Sequence, residues 1–107
     1  MSEYRKANVY FNNIYCGILK ESDVGYVFKY DDEYFYDEHT SSISLTMPKN
    51  KQVYESSILF PFFDGLIPEG YLFELVIKHF NIDYKDRFGA LLKSCEDCIG
   101  AVSLKEI

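Results

Sequence analysis

Cys95-Glu96-Asp97-Cys98 places two thiols at the spacing used by redox dithiols and by half-sites for zinc. A redox pair sits where a strand enters a helix in a thioredoxin-like unit. Here the pair follows a helical pattern and precedes the last strand pattern, with no βαβ unit around it. The other zinc ligands on offer, Cys16, His39 and His79, are far apart in sequence. The pair therefore reads as a helix-to-strand connection with structural thiols. His39 and His79 titrate near neutrality and are acid–base candidates, yet neither has a nucleophile close in sequence. His39 falls in an acidic loop, and His79 at a helix end, where a cation suits the dipole. Ser41-Ser42 and Ser56-Ser57 lack the strained Gly-x-Ser-x-Gly setting of an activated serine. The carboxylates Asp23, Asp31, Asp32, Glu33, Asp37 and Glu38 do not follow the spacing of a calcium loop. They read as the solvated rim of a hairpin; the alternative is a cluster whose field steers a basic partner. There is no Gly-rich phosphate loop, no His-Arg-Asp and no Asp-Phe-Gly. The chain offers no seat for ATP and magnesium. It calls for no cofactor and no metal, and it does not read as an enzyme, since catalysis has no visible seat.

The elements that must position any binding residues follow from size and period. At 107 residues the chain is a single domain, 1–107. Its net charge is −6, with Lys and Arg scattered along the sequence, which argues against direct nucleic-acid binding. No apolar run reaches the roughly 20 residues of a membrane span. The polar N-terminus carries no export signal, and an odd count of three cysteines suits a reduced, cytoplasmic setting.

Arg5–Phe11 alternates Ala7, Val9 and Phe11 with polar neighbours, the period of a half-buried strand. Asn12-Asn13 is a turn signal, and Ile14–Leu19 returns as the second strand of a hairpin. Val24–Tyr30 carries Val24, Tyr26, Phe28 and Tyr30 on one face. A turn at Asp31-Asp32 and aromatics at Tyr34–Tyr36 predict a second hairpin. Ser41–Met47 alternates again and stops at Pro48. From Pro68 the period changes: Leu72, Leu75, Val76 and Phe80 predict an amphipathic helix with Pro68 and Glu69 in its first turn. Asp83 is the expected N-cap of a second helix carrying Phe88, Leu91 and Leu92, with Gly89 an awkward interior residue. Ile99–Leu104 closes as a strand. The fold class is α+β: a small, mostly antiparallel β-sheet or partial barrel from the N-terminal half and the last strand, with two helices in residues 68–94.

The stretch from Leu59 to Tyr71 concentrates three Phe, two Pro and two Gly between strand region and helix. Some of these apolar groups must fill the core. A loop of rigid aromatic anchors is also how a small protein grips a partner.

These motifs together resemble the N-terminal subdomain of HipA-type toxin kinases. The pieces are Val9-Tyr10-Phe11-Asn12 with Gly17-Ile18-Leu19, and Ser42-Ile43-Ser44-Leu45. Then come Phe62-Phe63-Asp64-Gly65-Leu66-Ile67-Pro68-Glu69-Gly70 and Asp97-Cys98-Ile99-Gly100-Ala101-Val102-Ser103. In full-length HipA-like proteins this subdomain precedes a Ser/Thr kinase core, which would begin where this chain ends. The start methionine and the closing strand favour a naturally separate small protein, similar to HipS of three-part HipBST toxin–antitoxin systems. The resemblance implies an antitoxin that binds a HipT-like kinase toxin and inhibits it by occupying its active site or the region beside it. A HipB-like DNA-binding protein would share the complex. The alternative is a non-inhibitory structural subunit linking kinase to HipB. The partner-binding residues implied are Phe62, Phe63, Asp64, Leu66, Ile67, Pro68, Glu69 and Tyr71, the last at a position where other members of the family carry Trp.

Overall fold

The computed structural model describes residues 4–95 and 101–107. Strands β1 (Lys6–Phe11), β2 (Ile14–Ser22) and β3 (Gly25–Tyr30) form a meander, followed by a short helix α1 (Asp32–Tyr36). Strand β4 (Val53–Ser56) and a one-turn helix α2 (Pro61–Asp64) lead to helices α3 (Gly70–His79) and α4 (Arg87–Ser94), and β5 (Val102–Glu106) ends the fold. The sheet is antiparallel throughout, in the order β4-β3-β2-β1-β5. It stays open, with β4 and β5 at its two edges, and the Leu104 amide of β5 donates to the Cys95 carbonyl at 2.9 Å.

The first hairpin forms as expected. Asn12 and Asn13 take φ of 50° and 68°, the left-handed pair that a two-residue turn with the right twist demands. Two residue pairs beyond it, β2 carries an irregularity. Val9 pairs with Gly17 and Tyr10 with Tyr15, so Cys16 is extra. Its thiol is buried and donates to the Val9 carbonyl at 3.3 Å. Burial pushes its pKa up to about 12, so it is a neutral, inert thiol at physiological pH.

Three sequence expectations are corrected. The second hairpin is not 24–36: β3 pairs instead with β2, and residues 32–36 form a helix, with Tyr34 buried. Residues 41–47 make no strand, and the sheet's edge is Val53–Ser56. Ile43 and Met47 are buried while Leu45 between them is fully exposed, so the alternation is broken. The cause is a pair of tyrosines. The Tyr30 hydroxyl accepts from the Ile43 amide at 3.1 Å and donates to the Met47 carbonyl, and Tyr34 donates to the Ser41 carbonyl at 2.6 Å. These bonds satisfy the loop backbone without a ladder. Third, α3 begins at Gly70, after Pro68 and Glu69, and α4 is capped by Asp86 rather than Asp83. Asp83 closes a small turn on the Lys85 amide instead.

The core fills the space between one sheet face and the helices. Ala7, Leu19 and Phe28 lie in one cross-strand row, and Leu104, Val9, Gly17 and Tyr30 in the next. Against them pack Phe63 from α2 and Phe88, Leu91 and Leu92 from α4. Arg5 fastens sheet to helix. Its guanidinium reaches Glu21 of β2 through Nε and Nη2 (2.9 and 3.0 Å) and Asp86 through Nη1 and Nη2 (2.7 and 2.8 Å), and it lies over the Phe88 ring. Asp86 in turn accepts from the Gly89 amide at 3.0 Å. A Cβ on Gly89 would stand 2.3 Å from Asp86 Oδ2 and 3.0 Å from Arg5 Nη1. This is why a glycine sits inside the helix.

Candidate partner-binding surface

The stretch from Phe60 to Ile67 is a tight coil. Asp64 donates its amide to Phe60 O, Leu66 to Phe63 O, and Ile67 to Asp64 O, at 2.9–3.1 Å. That winding turns Phe60, Phe63 and Ile67 inward, where all three are buried. Phe62 and Leu66 are half-buried and pack on the rim of the core. Of the eight residues read as partner-binding, Phe63 and Ile67 therefore belong to the core. Phe62, Leu66 and Pro68 keep part of their surface, and Glu69 and Tyr71 are exposed.

Asp64 has a different occupation. Its carboxylate accepts from Arg87 Nε at 2.8 Å and from Nη2 at 3.1 Å, the two-point geometry that fixes orientation as well as distance. The Arg87 guanidinium also lies over the Phe73 ring, 5.4 Å from its centre. One arginine thus ties α2, α3 and α4 together. The Asp64 bond raises its pKa, so it stays charged at any working pH. Tyr26, Ile58, Leu59, Asp64 and Arg87 line an open groove of about 440 Å³ beside this clamp.

The chain enters α3 through Pro68, an extended Glu69 and Gly70 at φ +62°. Only glycine takes that conformation at no steric cost. The turn points Tyr71 away from the body. No residue of α3 is fully buried. Tyr71, Leu72 and Leu75 are 72%, 61% and 44% exposed, and Phe80 just beyond the helix is 45% exposed. The apolar residues at 72, 75, 76 and 80 were expected to face the core. Instead Phe73 packs on it, with Val76 and Ile77 half-buried, and Leu72 and Leu75 point outward. The signal was present in sequence. Tyr71, Leu72, Phe73, Leu75, Val76 and Ile77 wrap apolar surface around nearly the whole helix, more than one stripe in a small domain can cover. Sequence reasoning thus missed Leu72 and Leu75 as surface residues.

His39 and His79 are exposed, His79 in the last turn of α3 beside Phe80. Ser42 accepts from the Lys49 amide and Ser56 from the Ile58 amide. Cys95 is buried at the end of α4, its thiol 3.6 Å from the Leu66 carbonyl; Cys98 lies outside the described residues. Among the described residues, no group of three or more His, Cys, Asp or Glu side chains could hold a metal ion, and no helix is long and apolar enough to cross a membrane.

A model of the HipA N-terminal domain matches residues 7–105. The chain belongs to the HipA N-terminal domain family. The motif resemblance is borne out at that level. A Haemophilus influenzae protein, itself uncharacterized, is 33% identical over 102 residues, spanning 95% of this chain and 92% of its own length. A solved N-terminal domain of a HipA toxin is similar at a TM-score of 0.75 and 28% identity, covering 100% of this chain and 96% of that one. This HipA N-terminal domain therefore shares its overall fold with that solved domain over nearly the whole of both chains.

Proposed function

We propose that this HipA N-terminal domain is the antitoxin subunit of a HipBST-type toxin–antitoxin system, acting in the cytoplasm as a binding protein and not as a catalyst. Its target is a HipT-like Ser/Thr kinase, held inactive by occupancy at or beside the active site, with a HipB-like DNA-binding protein in the same complex. The observation that carries this reading is the exposed apolar face led by Tyr71, Leu72 and Leu75. Apolar surface of that kind, set on a rigid support, marks a protein-binding site. Its support is the Asp64–Arg87 clamp and the coil beneath it. A wedge so held stops a kinase because phosphoryl transfer depends on the positioning of nucleotide, metal and acceptor.

Titrating the protein into a HipT-like kinase and following autophosphorylation tests this. Activity falls to zero at saturation if the chain is an antitoxin. Binding with activity intact would make it a structural subunit, and the absence of binding would end the reading. Tyr71→Ala weakens binding by at least about 2 kcal/mol, some thirtyfold, while the Tm stays where it was, because the ring is largely in solvent.

A further inference from the structure

Helix α3 presents its outer surface in a pattern that fits itself. Leu72, Leu75 and His79 recur at steps of three and four, and Tyr71 stands four before Leu75, so these side chains form one stripe along the helix. Every one of them is exposed. On the other side Phe73 packs on the core, with Val76 and Ile77 half-buried. Glu74 and Lys78, four apart, border the stripe along one flank. Both are exposed, and neither side chain makes an ion pair or hydrogen bond among the described residues. The acid thus lies towards one end of that flank and the base towards the other.

We infer that the free chain pairs with a second copy of itself through α3, the two helices antiparallel about a twofold axis at Leu75. A twofold contact needs a surface complementary to itself. Run antiparallel, Leu75 of one copy meets Leu75 of the other, and Tyr71 and Leu72 meet the last turn with Lys78 and His79. Glu74 of each copy then lies beside Lys78 of the other, and opposite helix ends come together, as their dipoles favour. A parallel pairing would set Glu74 against Glu74 and Lys78 against Lys78. The apolar stripe supplies the drive and the charges the direction. A lipid surface is a poorer occupant. A helix that lies on a membrane is rich in Lys and Arg on its polar face, and α3 carries only Lys78. Ten residues give about 15 Å of helix, so the contact is small and the pair reversible. One consequence rests on the reading of α3 as the kinase-binding face: a paired copy is unable to engage the kinase, so pairing holds surplus antitoxin in reserve.

Sedimentation and amide chemical shifts of the full chain, diluted from about 1 mM to about 1 µM, test the pairing with no kinase present. A monomer–dimer equilibrium is expected, with the shifts concentrated on residues 70–80. Glu74→Lys and Lys78→Glu each weaken self-association about fivefold or more, because each sets like charges together at both ends of the contact. Mixing the two variants restores it, since every facing pair is again of opposite sign. Lost folding has no part in that comparison, because the same two chains are measured apart and together. Three results would overturn the proposal: a chain that stays monomeric throughout, shifts that lie away from α3, and a mixture that pairs no better than its components. A HipT-like kinase is added in a separate arm, where it dissolves the pairs. A complex that keeps the α3 contact would overturn the exclusion. A kinase that does not bind would end the kinase reading alone, with the mixing result still deciding the pairing.

Discussion

Tyr30 shows how much one side chain decides here. Its ring is fully buried, packed edge-on to Phe28 at 4.9 Å and stacked parallel to Tyr34 at 6.0 Å. Its hydroxyl closes the loop that the alternation of Ile43, Leu45 and Met47 disguised as a strand. Burial pushes the Tyr30 phenol up to about 12, so the donor proton is present throughout the physiological range. Tyr30→Phe keeps the ring and removes the oxygen, leaving the Ile43 amide and the Met47 carbonyl without that partner. The expected loss is about 1–3 kcal/mol, measured as a lower midpoint in urea, with faster amide exchange in 41–47. No pattern of hydrophobicity announces such a bond, because its two partners are backbone groups 13 and 17 residues away. Tyr71 is the opposite case, a residue of the same type whose worth is legible only as exposure.

Among the elements, the strands were readable where local rules govern and obscure where tertiary contacts override them. The first hairpin rests on two asparagines and a period of two, and both are visible in sequence. The helix over 32–36 replaced an expected strand because Tyr34 reaches the core only by turning back on Tyr30. The start of α4 moved from Asp83 to Asp86 because Arg5, at the far end of the chain, holds the Asp86 carboxylate as Gly89 donates to it. Gly89→Ala makes this measurable. Helix propensity alone favours alanine by about 1 kcal/mol. The new methyl, however, displaces Asp86 from its cap, worth about 1 kcal/mol, and from its two bonds to Arg5. We expect a net loss and a lower Tm in calorimetry; a rise would mean that the clamp shifts freely. Helix α3 gave the candidate site its visible half, since its period marks the apolar residues. Which of them look outward depends on how much core α4 and the sheet have left to fill.

For the molecule as a whole, the charge distribution sets the response to acid. Arg5 holds both Glu21 and Asp86 below the usual carboxylate range, chiefly through its hydrogen bonds. Their folded pKa values lie below the unfolded ones, so the stabilisation is complete above the ordinary carboxylate range and is lost as pH falls through the depressed values. Thermal melts should show the Tm dropping below about pH 4, and Arg5→Ala should flatten that drop by removing the shared partner. The same strand that carries Arg5's neighbours also sets the order of assembly. β1 pairs on one side with β2, its immediate successor, and on the other with β5, so that Ala7 lies opposite Glu106 and the Ile107 amide donates to the Lys6 carbonyl at 3.0 Å. The pairing with β2 is local in sequence, while the pairing with β5 joins segments about a hundred residues apart, so one side of β1 gains its partner only once β5 is made. An unpaired strand edge invites the wrong neighbour, and the exposed Lys6 sets a charge on that strand, the kind of residue that blunts edge-to-edge pairing.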